Sequence, residues 1–263
     1  MPKIKVDDIN IYYEIHGNGY PLVMTIPYSI EWWDPTIIDL LSKYFTVLIF
    51  DGRGVGKTNY IDLDYTFKTL VDDTIGLLDA LNIEQAHFFG ISGAGILVQE
   101  IAISYPERVN KLVLCSTQCM GGKAILPSPE IMEIIGKTSL AFNSEKQVRE
   151  LVPYILTQKF IKNNPVKVEE FIQVILKNPL SEESAKYRIR ASLKFSPSNR
   201  LKNIKSKTLV MHGKKDIIVV PENAEILAKL IPGAKLVFFE KSAHSISAEE
   251  PELFIKTIIE FLY

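Results

Sequence analysis

Four short runs in the chain are mostly apolar along their whole length: Phe45–Phe50, Ala86–Ile91, Val109–Cys115 and Thr208–His212. A strand that is apolar on successive residues must be covered on both faces, which is the condition of a parallel sheet packed between helices. The connections agree. Phe67–Leu81 places Leu70, Val71, Ile75, Leu78 and Leu81 at helical spacing, the mark of an amphipathic helix. Gly93–Tyr105 reads as a helix stopped by Pro106. Helices are also expected over Pro221–Leu230 and Pro251–Leu262, with proline suited to the first turn of each. A further strand is expected at Leu236–Phe239. The alternation of strand and helix makes this an α/β chain.

The N-terminal part reads as a hairpin, Lys3–Val6 and Ile9–Ile15 around Asp7 and Asp8, then a buried strand at Leu22–Ile26 and a short helix at Thr36–Leu41. The alternation stops after Cys115. From Thr117 to Asn203 no strand pattern is convincing, while Ile131–Ile135, Val148–Thr157, Val168–Leu176 and Glu182–Lys194 are amphipathic. An interruption of roughly 80–90 residues is too long for a bare loop, so a helical insertion into the sheet is expected. The core domain is then 1–116 with 204–263, and the insertion is 117–203.

Composition narrows the function classes. Lys plus Arg number 30 against 31 for Asp plus Glu, so the formal charge is −1. That balance offers no electrostatic footprint for nucleic acid or an anionic membrane. No apolar stretch approaches the ~20 residues that cross a bilayer. The segment Met1–Asp8 lacks the apolar stretch of a signal peptide. Cys115 and Cys119 form neither a disulfide framework nor a zinc ligand set. The expectation is a cytoplasmic protein without metal or organic cofactor, its oligomeric state open.

The chemistry-bearing residues fall at the ends of the expected strands. Ala86–Ile91 runs into Gly90-Ile91-Ser92-Gly93-Ala94-Gly95 and then a helix. A serine in that context sits on a sharp strand-to-helix turn, where only small neighbours avoid a clash, and the helix N-terminus favours an anion beside it. A serine needs a base to act as a nucleophile. His16 and His87 precede Ser92, and His212 lies inside a strand. His244 alone follows a late strand in a loop, so it is the candidate base. The acid is expected after a strand between the two, at Asp216 in Leu209-Val210-Met211-His212-Gly213-Lys214-Lys215-Asp216. Ser116, Thr117 and Gln118, which follow Val109–Cys115, offer no carboxylate there.

One look-alike is set aside. Asp51-Gly52-Arg53-Gly54-Val55-Gly56-Lys57-Thr58 resembles a phosphate-binding loop, but aspartate stands where the first glycine belongs and no helix pattern follows at once. A tight turn tied down by Asp51 and Arg53 is the expectation.

With these motifs in this order, and with Ala243-His244 followed by Glu250-Pro251-Glu252, the chain resembles the α/β-hydrolase fold family. The nearest likeness is to small serine hydrolases related to esterases, enol-lactonases and cofactor-free haloperoxidases. The resemblance implies a mainly parallel eight-stranded sheet with helices on both faces, a helical cap over the site, and a Ser92–His244–Asp216 triad. It also implies an oxyanion hole from the backbone N–H groups of Tyr28 and Gly93. One departure stands out: Ile26-Pro27 replaces the family's His-Gly, and Pro27 has no N–H to donate. The substrate expected is a small ester or lactone. The same triad serves prolyl aminopeptidases, carbon–carbon bond hydrolases and perhydrolases, and a slow ligand-binding relative is a further alternative. Trp32, Trp33, Phe142 and Tyr154 read as packing rather than pocket lining.

Overall fold

The computed structural model describes residues 2–58, 65–137, 144–179, 184–185 and 198–263. Eight strands form one sheet: β1 (Lys3–Val6), β2 (Ile9–His16), β3 (Tyr20–Thr25), β4 (Phe45–Phe50), β5 (Ala86–Ile91), β6 (Val109–Cys115), β7 (Lys207–Gly213) and β8 (Lys235–Phe239). Their order is β1-β2-β4-β3-β5-β6-β7-β8. β1 and β2 pair antiparallel, β2 joins β4 antiparallel, and the remaining pairings are parallel. The hairpin turns at Asp7, whose φ of 45° is left-handed.

The apolar runs are buried on both sides because the sheet is covered on both sides. Along β5 and β6, Phe88, Leu112 and Leu114 face one core layer, and Phe89, Val113 and Cys115 face the other. The first layer is closed by α2 (Phe67–Ala80), α3 (Gly93–Ser104) and α8 (Glu222–Leu230) through Leu70, Ile101 and Leu227. The second is closed by α1 (Pro35–Leu41) and α10 (Pro251–Leu262) through Ile38, Leu41, Phe254 and Ile258.

Between β6 and β7 the described residues form helices and no strand: α4 (Pro129–Lys137), α5 (Glu145–Ile155), α6 (Gln158–Asn163) and α7 (Pro165–Lys177). Val148, Leu151, Val152, Leu156, Ile172 and Ile175 give α5 and α7 a small core of their own, and Tyr28, Trp32 and Ile218 pack against it. The helix expected over Val148–Thr157 ends two residues early. Thr157 instead caps α6, its hydroxyl accepting from Phe160 N at 3.2 Å. The helix expected at Glu182–Lys194 falls almost wholly outside the described residues, as does Phe142. The sequence reading missed the one-turn helix α9 (Ile246–Glu249) after His244. No helix among the described residues is long and apolar enough to cross a membrane.

Candidate active site

β5 delivers Ser92 to the carboxyl edge of the sheet and α3 begins at the next residue. Ser92 has φ 52° and ψ −126°, a strained conformation for a residue with a side chain. Its surroundings over-determine it. Ser92 N donates to Cys115 O at 2.9 Å, and Ser92 O accepts from Thr117 Oγ1 at 2.6 Å. The space around the turn explains the small residues. A Cβ at Gly90 would lie 2.5 Å from Val98 Cγ2 and 2.7 Å from Ala94 O. One at Gly95 would lie 2.5 Å from Thr117 Oγ1. Ala94 is buried and tolerated, so the glycines that the turn depends on lie at 90 and 95.

β7 ends at Gly213, which must be glycine because a Cβ there would meet Ala243 O at 1.9 Å. This close approach packs the turn after β7 against the loop after β8, and the turn carries Asp216 to His244. Asp216 Oδ1 accepts from Ile218 N and Val219 N, both at 2.9 Å, and Oδ2 lies 2.7 Å from His244 Nδ1. Asp216 is 2% exposed. Burial pushes its carboxyl upward, but the charge on His244 and the hydrogen bonds from His212 and His244 outweigh that and hold it at about 2. His244 Nε2 is 3.2 Å from Ser92 Oγ. The three side chains therefore form one unbroken chain of hydrogen bonds across three separate strand ends.

The His244 loop is fastened by two carboxylates. Glu249 Oε2 accepts from Ala243 N at 2.6 Å, and Glu250 Oε2 accepts from Ser242 Oγ at 2.6 Å. Glu249 Oε1 also accepts from Thr157 N at 2.9 Å and Thr157 Oγ1 at 2.5 Å. Ser245 N donates to Ile155 O at 3.2 Å, so the helices after β6 are joined to the loop that holds His244.

The Ile26-Pro27 loop lies against the elbow: a Cβ on Gly93 would come within 3.6 Å of Pro27 Cγ. Its continuation is tied down by the residue that spoils the phosphate-loop motif. Asp51 is fully buried, and its carboxylate accepts from Ile30 N at 2.8 Å and Lys57 N at 2.7 Å. Burial raises the Asp51 carboxyl, against the pull of those two backbone N–H groups. Arg53 is likewise buried, paired with Asp73 and Asp8 at 2.7 Å each. The expected tight turn is present, with Asp51 gripping the loop after β3.

Ser92, Gly93, Tyr28 and His244 share a cavity of about 1020 Å³. Much of its lining is apolar, including Ile26, Met120, Leu156 and Ile218, while Lys167, Glu170 and Lys177 on α7 are exposed lining residues. Trp32 and Trp33 line this cavity as well as packing, Trp33 in the second core layer of the sheet and Trp32 against the core of α5 and α7, and Tyr154 does not line it. Trp32 stacks on Tyr28 with centroids 4.1 Å apart, and its Nε1 donates to Asn178 O at 3.3 Å. Spacing alone could not bring residue 32 beside residue 178.

The family model for the alpha/beta hydrolase fold matches residues 15–135 and 177–251, more than half of the chain. The chain belongs to the α/β hydrolase fold family. A protein of Azorhizobium caulinodans named "Putative carbamate hydrolase RutD" is 28% identical over 99% of this chain and 98% of its own length. The 2-hydroxy-6-oxo-6-phenylhexa-2,4-dienoate hydrolase of Comamonas testosteroni is 27% identical over 98% of this chain and 92% of its own. The crystal structure of the enol-lactonase from Burkholderia xenovorans LB400 superimposes with a TM-score of 0.84 at 26% identity, covering 99% of each chain. Membership of this family fits the sheet order, the elbow and the position of the helices after β6.

Proposed function

We propose that the protein is a carboxylesterase-like serine hydrolase, cleaving small carboxylic esters or lactones through an acyl-enzyme. The observation that carries this reading is the hydrogen-bonded chain Ser92 Oγ, His244 Nε2, His244 Nδ1, Asp216 Oδ2 at the edge of the sheet. In the proposed mechanism Ser92 Oγ attacks the carbonyl carbon while His244 takes its proton. His244 then gives that proton to the leaving oxygen, and the ester C–O bond breaks. Water, deprotonated by His244, attacks the acyl-enzyme and frees Ser92. Asp216 fixes the imidazole tautomer and stabilises the imidazolium without taking the proton itself.

The charge that forms on the carbonyl oxygen is received, on this reading, by Gly93 N–H at the start of α3 and by Tyr28 N–H. Pro27 precedes Tyr28 and removes only its own donor. The grip of Asp51 on Ile30 N supports a preorganised loop, which is what such stabilisation requires. The helices of 117–203 act as a cap whose apolar side chains help select the substrate. The many apolar residues lining the cavity favour an ester or lactone with hydrocarbon substituents over a substrate as small and polar as carbamate. The chemistry calls for no cofactor. Two buried, unpaired cysteines fit a reducing compartment such as the cytoplasm.

The test has two arms. A fluorophosphonate probe should label wild type at Ser92 and fail on Ser92→Ala. A panel of p-nitrophenyl esters, γ-lactones, a carbamate, a prolyl amide and a vinylogous diketone should show fastest turnover on esters or lactones. A wild type that neither labels nor turns over any panel member would point to a binding protein. Preference for the diketone would move the assignment to carbon–carbon bond hydrolysis.

A further inference from the structure

His212 was set aside as a base because it lies inside a strand, and it is fully buried. Yet its ring touches the acid of the site. His212 Nε2 is 2.7 Å from Val219 O and 3.3 Å from Asp216 Oδ2. A carbonyl oxygen can only accept, so the ring hydrogen is on Nε2. Nδ1 is buried with no hydrogen-bond partner among the described residues, which fits a neutral ring with its single hydrogen on Nε2. Asp216 Oδ2 thus faces two histidines: His244 on the side of the reaction and His212 from inside the sheet. Oδ1 is occupied by Ile218 N and Val219 N. The N–H of His212 spans from the acid to the carbonyl of the residue that clamps the acid's other oxygen.

We propose that His212 is a positioning residue for the reaction, holding the Asp216–Val219 turn and drawing part of the Asp216 negative charge away from His244. The assignment rests on the serine-hydrolase reading given above. Its physical content is a division of one carboxylate's charge between two donors. A carboxylate that shares its charge with His212 attracts the His244 imidazolium less strongly than one that gives it all to His244. Removing the His212 donor should therefore make His244 harder to deprotonate and loosen the turn that presents Asp216. The other titratable group in electrostatic contact with Asp216 among the described residues is the Cys115 thiol. Burial pushes that thiol up to about 12, with the Asp216 charge adding to the effect, so it stays protonated over the working range.

The experiment is the pH profile of kcat/KM on p-nitrophenyl acetate for wild type, His212→Leu, His212→Asn and His212→Gln, with Tm measured for each. The glutamine amide nitrogen reaches the position of Nε2, whereas that of asparagine reaches only Nδ1. In His212→Leu the midpoint of the acid limb should rise by about half a pH unit, with the plateau down about tenfold. His212→Asn should behave as leucine does. His212→Gln should return the midpoint to the wild-type value and the plateau to within about threefold. Should the leucine variant fail to fold, the contrast between asparagine and glutamine carries the test. A lower Tm in leucine and asparagine with an unmoved midpoint would make His212 a merely structural residue and overturn the proposal. Equal midpoints in glutamine and asparagine would also overturn it, since the hydrogen bond would then be irrelevant. A wild type that neither turns over nor labels with fluorophosphonate would overturn the serine-hydrolase reading itself, and this assignment with it. Normal wild-type turnover with either of the first two results would sink the His212 assignment alone.

Discussion

Two serines stand at the ends of neighbouring strands, each with a positive φ. Ser92 follows β5 with φ 52°, and Ser116 follows β6 with φ 44°. Each donates its N–H to the last carbonyl region of the next strand: Ser92 N to Cys115 O and Ser116 N to Met211 O, both at 2.9 Å. Their surroundings then diverge. Ser92 is half-buried in the cavity wall with His244 Nε2 at 3.2 Å. Ser116 is fully buried, and its Oγ lies 3.9 Å from Cys115 Sγ, a thiol that burial holds protonated up to about 12. A positive φ at the sheet edge is therefore shared by a candidate nucleophile and by a serine that has no base hydrogen-bonded to it among the described residues. What separates them is access and a proton acceptor, not the turn.

The largest contrast should appear in turnover. Ser92→Ala should lower kcat by about 10⁶-fold on a fast ester, and His244→Ala combined with it should do no further harm, because such residues act as a unit. Ser116→Ala should stay within about threefold of wild type, since its hydroxyl touches nothing that reacts. Comparable losses at the two serines would erase the distinction. Next in size is the acid: Asp216→Asn should cut kcat by about 10³–10⁴ while the fold persists, through loss of the acceptor that orients the imidazole.

Acid titration sharpens the difference in stability terms. The folded Asp216 carboxyl sits at about 2 against an ordinary 3.8. A lowered carboxylate stabilises the fold above its unfolded value, and that stabilisation is lost as pH falls from near 4 towards 2. Unfolding free energies from urea titration should fall through this window by about 2 kcal/mol more for wild type than for Asp216→Asn. Parallel curves for the two proteins would show that Asp216 carries no such load. The smallest effect should come from relieving strain. Ser92→Gly and Ser116→Gly should each raise stability by roughly 0.5–1 kcal/mol, the left-handed backbone costing glycine nothing while its unfolded-chain entropy takes part of the gain. The first should be inactive and the second active. A loss of stability at either position would mean that its side chain matters more than its backbone.

The strands were readable because an apolar run buried on both faces leaves little alternative: Phe45–Phe50, Ala86–Ile91 and Val109–Cys115 have the bounds that their composition predicts. The elbow and the order serine, acid, histidine could also be read, since each sits where a strand pattern breaks. Other features depend on contacts between residues far apart in the chain. Nothing local in Ser245-Ile246-Ser247 announces α9, which forms where Ile246 is buried against the sheet. The cavity role of Trp32 and the bridge from Glu249 to Thr157 span more than ninety residues each. His212 was visible only as a strand residue, although its spacing of four from Asp216 across Gly213 was a signal that the turn could bring them together.

The joint at Glu249 bears on how such a molecule can be rebuilt. Its carboxylate holds Thr157 on one side and Ala243 on the other, and Ile155 O receives Ser245 N. Any exchange of the helices between β6 and β7 for those of another hydrolase transplants half of that joint. A graft that keeps a hydroxyl at 157 and a free carbonyl at 155 inherits the seat of His244. One that replaces only the far end of the helical segment, where Trp32 meets Asn178, can reshape the pocket without disturbing that seat.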